Sequence, residues 1–380
     1  MAKTKESGNG SGTVYPRKNK AGKVIGYRGS YFAPDGRRRY VSAKTKTEAR
    51  QALRQAMADA DRGLVFDADN LGLSEYLDHW LSDSVQDTVR ATTHERYEQI
   101  VRLHLKPALG RLKLKALTPA HVRGLYREKL EAGASQRTVR YVHVTLHKAL
   151  KQAVADGLIP RNATEAVKPP QIVKEEMHPL TQEQTKMLLE AARGDRLEAL
   201  YVLAVHTGLR QGELLGLKWE DVDLEAGTLS VRRTLSITKD GPVLAAPKTK
   251  GSARSVSLTS GGVSALRGHL QRQLGEIDRI GSLWRENGLI FASQTGEFLD
   301  RRNVTKGHFK PLLKRAGLPE IRFHDLRHTC ATLLLARNVN PKIVSEMLGH
   351  ASIAITLDTY SHVLPNMRDQ AAKAMEEALQ

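Results

Sequence analysis

Sulfur chemistry is almost missing from this 380-residue chain, in which Cys330 is the only cysteine. One thiol can form neither an internal disulfide nor a Cys-based zinc cluster, so neither staples the fold. Long apolar runs are missing too, and no stretch approaches the roughly 20 residues needed to span a bilayer. The first residues lack the apolar core of a secretory signal, which makes the cytoplasm the expected location. There is no GxxxxGK(S/T) phosphate loop and no cluster of carboxylates suited to Mg2+. No internal repeats are visible.

Positive charge is abundant. Lys and Arg number 59 against 41 Asp and Glu, a formal net charge of +18 with a pI near 9.9. Such an excess favours polyanionic partners, because each cation that meets a phosphate releases condensed counterions. It is also uneven: residues 1–64 hold 15 Lys and Arg against 5 Asp and Glu, a net of +10. Hydrophobic residues at 40% and charged residues at 26% are ordinary for a globular protein, and the length implies two or three domains.

Residues 1–12 are rich in Lys, Gly and Ser and read as a disordered tip. Alternating segments follow at Gly12–Pro16, Val24–Phe32 and Arg37–Ser42, separated by turn signals at Ala21-Gly22 and Asp35-Gly36. A helix is predicted from Thr47 to Arg62, opened by a Thr45/Glu48 capping box and stopped by Gly63. Arg37, Arg38 and Arg39, with Tyr27, Tyr31, Phe32 and Tyr40 interleaved, suggest a folded basic module over residues 1–64 rather than a loose tail.

Residues 65–168 read as helical. Leu73, Tyr76, Leu77, Trp80 and Leu81 form one apolar stripe. A Thr92/Glu95 capping box is expected to open a helix over Arg96–Leu105, and Thr118-Pro119 another that runs to Leu130. Ser135 opens the longest helix, to Asp156, whose polar side carries Arg137, Arg140, His143, His147, Lys148 and Lys151. A charged face is commonly only solvated, but one so purely cationic favours DNA contact. Residues 169–178 read as a linker. Residues 179–380 form a further, mainly helical domain capped at Thr181, with a β-rich patch at Thr228–Ile237, Val243–Ala246 and Arg254–Leu258. The fold class expected is mainly α with small β elements.

Four strings in this last domain invite chemistry: TGLRQGELLGLKWEDVD from Thr207 to Asp223, APKTKGSARSV around Lys248, HDLRHTCATLL from His324, and MLGHASIAITLDTYSHV through Tyr360. Taken singly, each has a bland explanation as a helix start, a cationic loop, a polar stripe or a core tyrosine. Taken in order, they resemble the tyrosine recombinase (phage integrase) family. That resemblance supplies an Arg in TGLRxGE (Arg210), a hairpin Lys (Lys248), an HxxR pair (His324 and Arg327), the LGH histidine (His350) and a Tyr some ten residues later (Tyr360). The clear match covers about Thr181 to Val363. The helical segment before it looks like the family's core-site DNA-binding domain, and residues 1–64 like its arm-site-binding domain.

The resemblance implies a DNA-cutting and DNA-joining enzyme, and the residue types suit the task. Two guanidiniums, Arg210 and Arg327, can hold the non-bridging oxygens of a phosphodiester by paired hydrogen bonds. His324 and His350 can support that clamp and manage a proton. Tyr360 would attack to give a 3′-phosphotyrosine, and Lys248 would protonate the departing 5′-oxygen, with Lys250 the rival. Bond energy kept in the phosphotyrosine makes ATP unnecessary, and the arginines replace a metal, so no cofactor is expected. Glu213 and Asp325, beside these positions, either orient them or sit on the surface. Trp219 and Cys330 read as packing residues, and Met367–Leu379 as an amphipathic helix docking on its own domain or on a neighbour.

Partners implied by the resemblance are double-stranded DNA at attachment core and arm sites, a homotetramer on that DNA, an excisionase and a host DNA-bending protein. No membrane is involved, and the setting is the nucleoid of a bacterial host. Rival readings are a zinc hydrolase using His324 and His328 four apart, and a DNA-binding regulator with a dead site. Others that keep the chemistry are a chromosome-dimer resolvase or a topoisomerase. The zinc reading lacks a general-base Glu and a third ligand, and the dead-site reading lacks a missing catalytic position.

Overall fold

The computed structural model describes residues 12–18, 22–32, 38–61, 71–172, 177–246, 253–360 and 375–379. The chain divides into two compact units, Met1–Val173 and Lys174–Gln380. The boundary falls within the stretch expected to be a linker.

The first unit opens with a three-stranded antiparallel sheet of β1 (Thr13–Lys18), β2 (Val24–Phe32) and β3 (Arg38–Ala43) in that order. Helix α1 (Lys46–Asp61) follows, and Thr45 and Glu48 make the reciprocal capping bonds expected, each at 3.2 Å. Side chains alternate across a strand, so register decides each face. Tyr31 packs with Leu53 and Ala56 of α1, supported by Val14 and Val41. The other face carries Arg28, Ser30, Phe32, Arg38 and Tyr40, cross-paired as Ser30 with Tyr40 and Phe32 with Arg38. Arg38 Nη2 donates to Ser30 Oγ at 3.1 Å, and the Arg28 guanidinium lies 4.2 Å from the Tyr40 ring centroid. Phe32 is 71% exposed, so this basic face has an open aromatic surface, with the Arg38 guanidinium 5.9 Å from the ring centroid. Tyr31, named on sequence alone among the interleaved aromatics, belongs to the core.

Helices α2 (Leu73–His79), α3 (Ala91–Ile100), α4 (Lys106–Leu109), α5 (Pro119–Glu131) and α6 (Gln136–Ala155) share one core. All five residues of the predicted stripe, Leu73, Tyr76, Leu77, Trp80 and Leu81, are buried in it. Thr92 is not the N-cap of its helix. Arg90, extended at ψ 148°, caps α3 instead, and its carbonyl accepts from Thr93 and His94, so that helix begins five residues earlier than expected. Thr118 and Ser135 cap α5 and α6 as predicted. Along α6, Val139, Val142, Leu146, Ala149, Leu150 and Ala153 point inward at helical spacing. Arg137, Arg140, Lys148 and Lys151 are exposed. His143 and His147 do not belong to that cationic face. They are half-buried, bonded to the Tyr126 hydroxyl at 2.6 Å and the Thr164 hydroxyl at 2.9 Å.

The second unit contains α7 (Gln182–Ala191), α8 (Glu198–Thr207), α9 (Gln211–Leu214), α10 (Ser260–Ile280), α11 (Arg301–Asn303), α12 (Lys310–Arg315), α13 (Asp325–Leu335), α14 (Pro341–Leu348) and α15 (Ile353–Tyr360). Helix α8 is apolar nearly all round and lies at the centre of the core. Strands β4 (Val222–Asp223), β5 (Thr228–Val231) and β8 (Arg254–Ser257) form one sheet, and β6 (Thr234–Thr238) with β7 (Gly241–Ala245) a separate hairpin. The predicted single strand Thr228–Ile237 is thus two. The chain breaks at Arg232 and Arg233, where Arg233 leaves the ladder to pair with Glu220 at 2.7 Å and Asp221 at 3.1 Å.

Candidate active site

Two glycines explain why the motif strings have their form. Gly208 ends α8 in the left-handed region at φ 61°, and a Cβ there would stand 2.4 Å from a Leu348 methyl. Gly349 ends α14 at φ 67°, and a Cβ there would stand 2.8 Å from an Arg254 nitrogen. Both positions suit only glycine, for conformation and for space. Through them the TGLR turn, the LGH turn, α13 and β8 approach one another closely.

Arg327, on α13, is 3% exposed and donates from Nη1 to the Gly208 carbonyl at 2.9 Å. Its Nη2 is buried with no hydrogen-bond partner among the described residues. Burial, then the positive charge of Arg210, draw its pKa down to about 10, so it stays charged at neutral pH. Arg210 precedes α9. Its Nη1 donates to Glu213 at 2.8 Å and its Nη2 to the Gly349 carbonyl at 3.4 Å. Glu213 also accepts from Arg254 Nη2 at 3.1 Å, and Arg254 Nε donates to the Met347 carbonyl at 2.6 Å. One buried carboxylate therefore holds two guanidiniums directly and, through Arg254, ties Arg210 to β8 and the end of α14. Arg254 carried no signal in the sequence beyond opening an expected strand.

His350 Nδ1 pairs with the Thr356 hydroxyl at 2.7 Å. Burial first, then Arg327 and Arg210, pull its pKa to about 4. His324 is likewise drawn to about 4 by burial, His328, Arg327 and Arg210. These mutual effects tie Arg210, Arg327, His324 and His350 into one electrostatic neighbourhood. Tyr360, at the end of α15, is 1% exposed among Ala331, Leu335, Val344 and Leu348. Burial pushes its pKa up to about 12 while Arg327 acts in the opposite sense. Five of the six expected side chains thus converge. Lys248, the sixth, and its rival Lys250 lie outside the described residues, as does Arg37.

The phenol's hydrogen bond goes to a residue sequence reasoning used only for the zinc alternative: His328 Nδ1 stands 2.7 Å from Tyr360 Oη. The His324 and His328 rings meet edge-on, centroids 5.0 Å apart. Asp325 is buried rather than superficial, and it orients Arg322 at 2.9 Å. Trp219 donates to Gln273 at 2.6 Å and packs on the core, as expected of a packing residue. Among the DNA-contact candidates, Arg38, Arg137, Arg140 and Lys148 are exposed, and Lys148 also bonds the Tyr97 hydroxyl at 2.6 Å. Arg39 pairs in register with Tyr31. Arg28, which composition did not single out, is half-buried on the same face as Arg38. Among the described residues, no helix is long and apolar enough to cross a membrane.

Comparison with known proteins covers both units. The phage integrase family matches residues 178–367, and the family's N-terminal SAM-like domain matches residues 73–130. A XerC-like tyrosine recombinase of Caldanaerobacter subterraneus is 33% identical over 359 residues, 90% of this chain and 92% of the relative. An integrase of Streptomyces ambofaciens is 31% identical over 348 residues, 87% of this chain and 86% of its own. Among solved structures, the Tn1549 transposon integrase with transposon right end DNA superimposes with TM-score 0.68 at 23% identity, covering 82% of this chain and all of that one. A lambda integrase tetramer on a Holliday junction gives TM-score 0.55 at 21% identity, over 90% of this chain and 94% of that one. With identity of 33% sustained along 90% of its length and a family match that spans every motif string above, this chain belongs to the phage integrase family of tyrosine recombinases, enzymes that break and rejoin DNA at specific sites.

Proposed function

We propose that this recombinase integrates, and with an excisionase excises, the genome of a phage or other mobile element, with Tyr360 as the nucleophile. The observation that carries the site assignment is Arg327: buried, charged and with Nη2 unsatisfied, beside a second guanidinium and a buried phenol. An unpaired buried donor costs about 1–3 kcal/mol, which a phosphodiester oxygen would recover. Arg210 and Arg327 hold the two non-bridging oxygens, and His324 and His350 border the same anion. Neutral imidazoles of low pKa donate to the phosphate without adding charge of their own. Tyr360 Oη attacks phosphorus, a 3′-phosphotyrosine forms, and Lys248 gives its proton to the 5′-oxygen. The freed 5′-hydroxyl of another strand reverses the reaction, which conserves the bond energy.

The remaining parts follow the same reading. Residues 1–64 bind arm sites through the Arg28/Arg38/Tyr40 face, 65–168 bind core sites through α6, and 179–380 cut. Four copies act on two paired sites through a Holliday junction, as the lambda assembly supports by analogy of fold. A host DNA-bending protein assists, and the setting is the cytoplasm and nucleoid of a bacterium, the source of both relatives named. The basic sheet module favours integration over dimer resolution.

The test is covalent capture. A pool of nicked duplexes of randomised sequence is incubated with the chain, and protein–DNA adducts are isolated, sequenced and mapped by peptide mass. The expected result is one enriched sequence attached to Tyr360, with none on Tyr360→Phe. An adduct formed by Tyr360→Phe would overturn the assignment.

A further inference from the structure

We propose that His328 is the residue that accepts the Tyr360 proton during DNA cleavage, an inference that rests on Tyr360 being the nucleophile. The geometry is direct. Nδ1 of His328 lies 2.7 Å from the phenol oxygen, with ring centroids 5.7 Å apart and tilted by 53°. His328 is the hydrogen-bond partner of that hydroxyl among the described residues. A buried hydroxyl needs an acceptor. The O–H therefore donates to Nδ1, and the neutral imidazole carries its own proton on Nε2. Sequence spacing makes the contact possible: His328 lies one helical turn beyond His324 on α13, so the two rings share a side of the helix and meet edge-on.

The environment gives this contact its meaning. Tyr360 is enclosed, which opposes ionisation, and the phenol's proton leaves through the atom to which it is bonded. Around His328 stand His324, Arg327, Arg322 and Asp325 from α13 and the turn before it, and His350 from the turn before α15. Burial and the two arginines favour its neutral form, which is the form able to take a proton, while Asp325 offsets the imidazolium once it forms. In the step itself, the Oη–H bond breaks and Nδ1–H forms as Oη bonds to phosphorus. The P–O5′ bond breaks and the 5′-oxygen takes a proton from Lys248. Religation returns each proton along the same path, so the site ends unchanged. His324, three residues before Arg327, is left to the phosphate.

The test uses the full chain and the duplex recovered by covalent capture, made with either oxygen or sulfur as the 5′-bridging atom at the cut. A thiolate leaves without a proton donor, so sulfur rescues a defect in leaving-group protonation and not one in nucleophile deprotonation. Adduct formation is measured in single turnover from pH 6 to pH 10. For His328→Asn, which keeps an acceptor in place of Nδ1 but no basic nitrogen, the expected loss at pH 7 is about 10²–10⁴-fold. It should be equal with oxygen and sulfur and should narrow as pH rises. His328→Ala should behave alike, whereas Lys248→Ala should be rescued by sulfur. Each variant's sulfur-to-oxygen ratio and pH slope are internal to that variant, so a loss of stability does not obscure them. Parental rates for His328→Asn at pH 7, a loss that is flat with pH, or rescue by sulfur would each overturn the proposal. Failure of the Tyr360 assignment is seen separately, as an adduct on Tyr360→Phe.

Discussion

Glu213 and Arg254 form an ion pair closed to solvent on both sides, 3.1 Å apart with side chains 4% and 7% exposed. Burial alone would raise the Glu213 pKa, but Arg254 by charge and hydrogen bond, with Arg210 behind it, holds the carboxyl below its usual range. A carboxyl depressed in the folded state stabilises above its unfolded pKa and loses that contribution as pH falls through the folded value. Glu213→Ala leaves the buried Arg254 without the carboxylate that balances its charge, at a cost of about 3–5 kcal/mol. The expected outcome is a melting temperature roughly 10 °C lower and little cleavage. Glu213→Gln, which keeps the shape, should lose less of both. Calorimetry of the two variants checks this, and an unchanged melting temperature for Glu213→Ala would show that the pair adds nothing net.

Arg327→Lys should separate binding from chemistry. A lysine can reach the Gly208 carbonyl or the phosphate but cannot reproduce a planar fork serving both. Cleavage should fall by about 10²–10³-fold, while duplex affinity, spread over many phosphate contacts, changes little. Single-turnover cleavage beside a gel-shift titration decides it. Equal losses in the two assays would remove Arg327 from the clamp.

Acid should loosen the second unit in a particular window. His324 and His350 have folded pKa values near 4 against an ordinary 6.5, so the unfolded chain binds more protons between those limits. Stability therefore falls as pH drops from about 6.5 towards about 4. Melting curves across that range should show the fall, and His350→Asn should flatten part of it. Bound DNA, whose phosphate favours the imidazoliums, should flatten it further. A His350→Asn profile parallel to the parent would exclude His350 as a contributor.

The candidate set was legible in sequence because four strings, taken in order, resemble the tyrosine recombinase family: an arginine after TGL, HxxR, LGH and a tyrosine. What surrounds it was less so. His328 was visible as a histidine four residues past His324, but which side chain bonds the phenol depends on how α13 and α15 pack, and no local rule encodes that. Arg254 looked like a strand residue, since its partners Glu213 and Met347 lie 41 and 93 positions away. Thr92 is not an N-cap because Ala91 through Thr93 extend the helix N-terminally once Arg90 ends in an extended conformation. In the basic sheet, the alternation was legible but it did not say which face meets α1. Packing on α1 placed Tyr31 inside and set Arg28 on the opposite face beside Tyr40.

That arrangement yields a prediction for the N-terminal module. Arg28→Ala and Arg38→Ala should each weaken arm-site binding and reduce the slope of log affinity against log salt by about 1. Deleting residues 1–64 should abolish arm-site binding yet leave core-site cleavage detectable. Comparable losses of both on deletion would make the module structural.

The thiol of Cys330 is shielded, with 3% exposure and a pKa pushed up to about 12 by burial, and its sulfur lies 3.3 Å from where a Cβ on Gly208 would stand. An alkylating reagent therefore finds nothing to modify until the turn leading to Arg210 swings away, and no other sulfhydryl competes for the label. The rate of labelling becomes a built-in clock for breathing of that corner. Occupancy of the guanidiniums by a DNA strand should slow the clock without any engineered reporter.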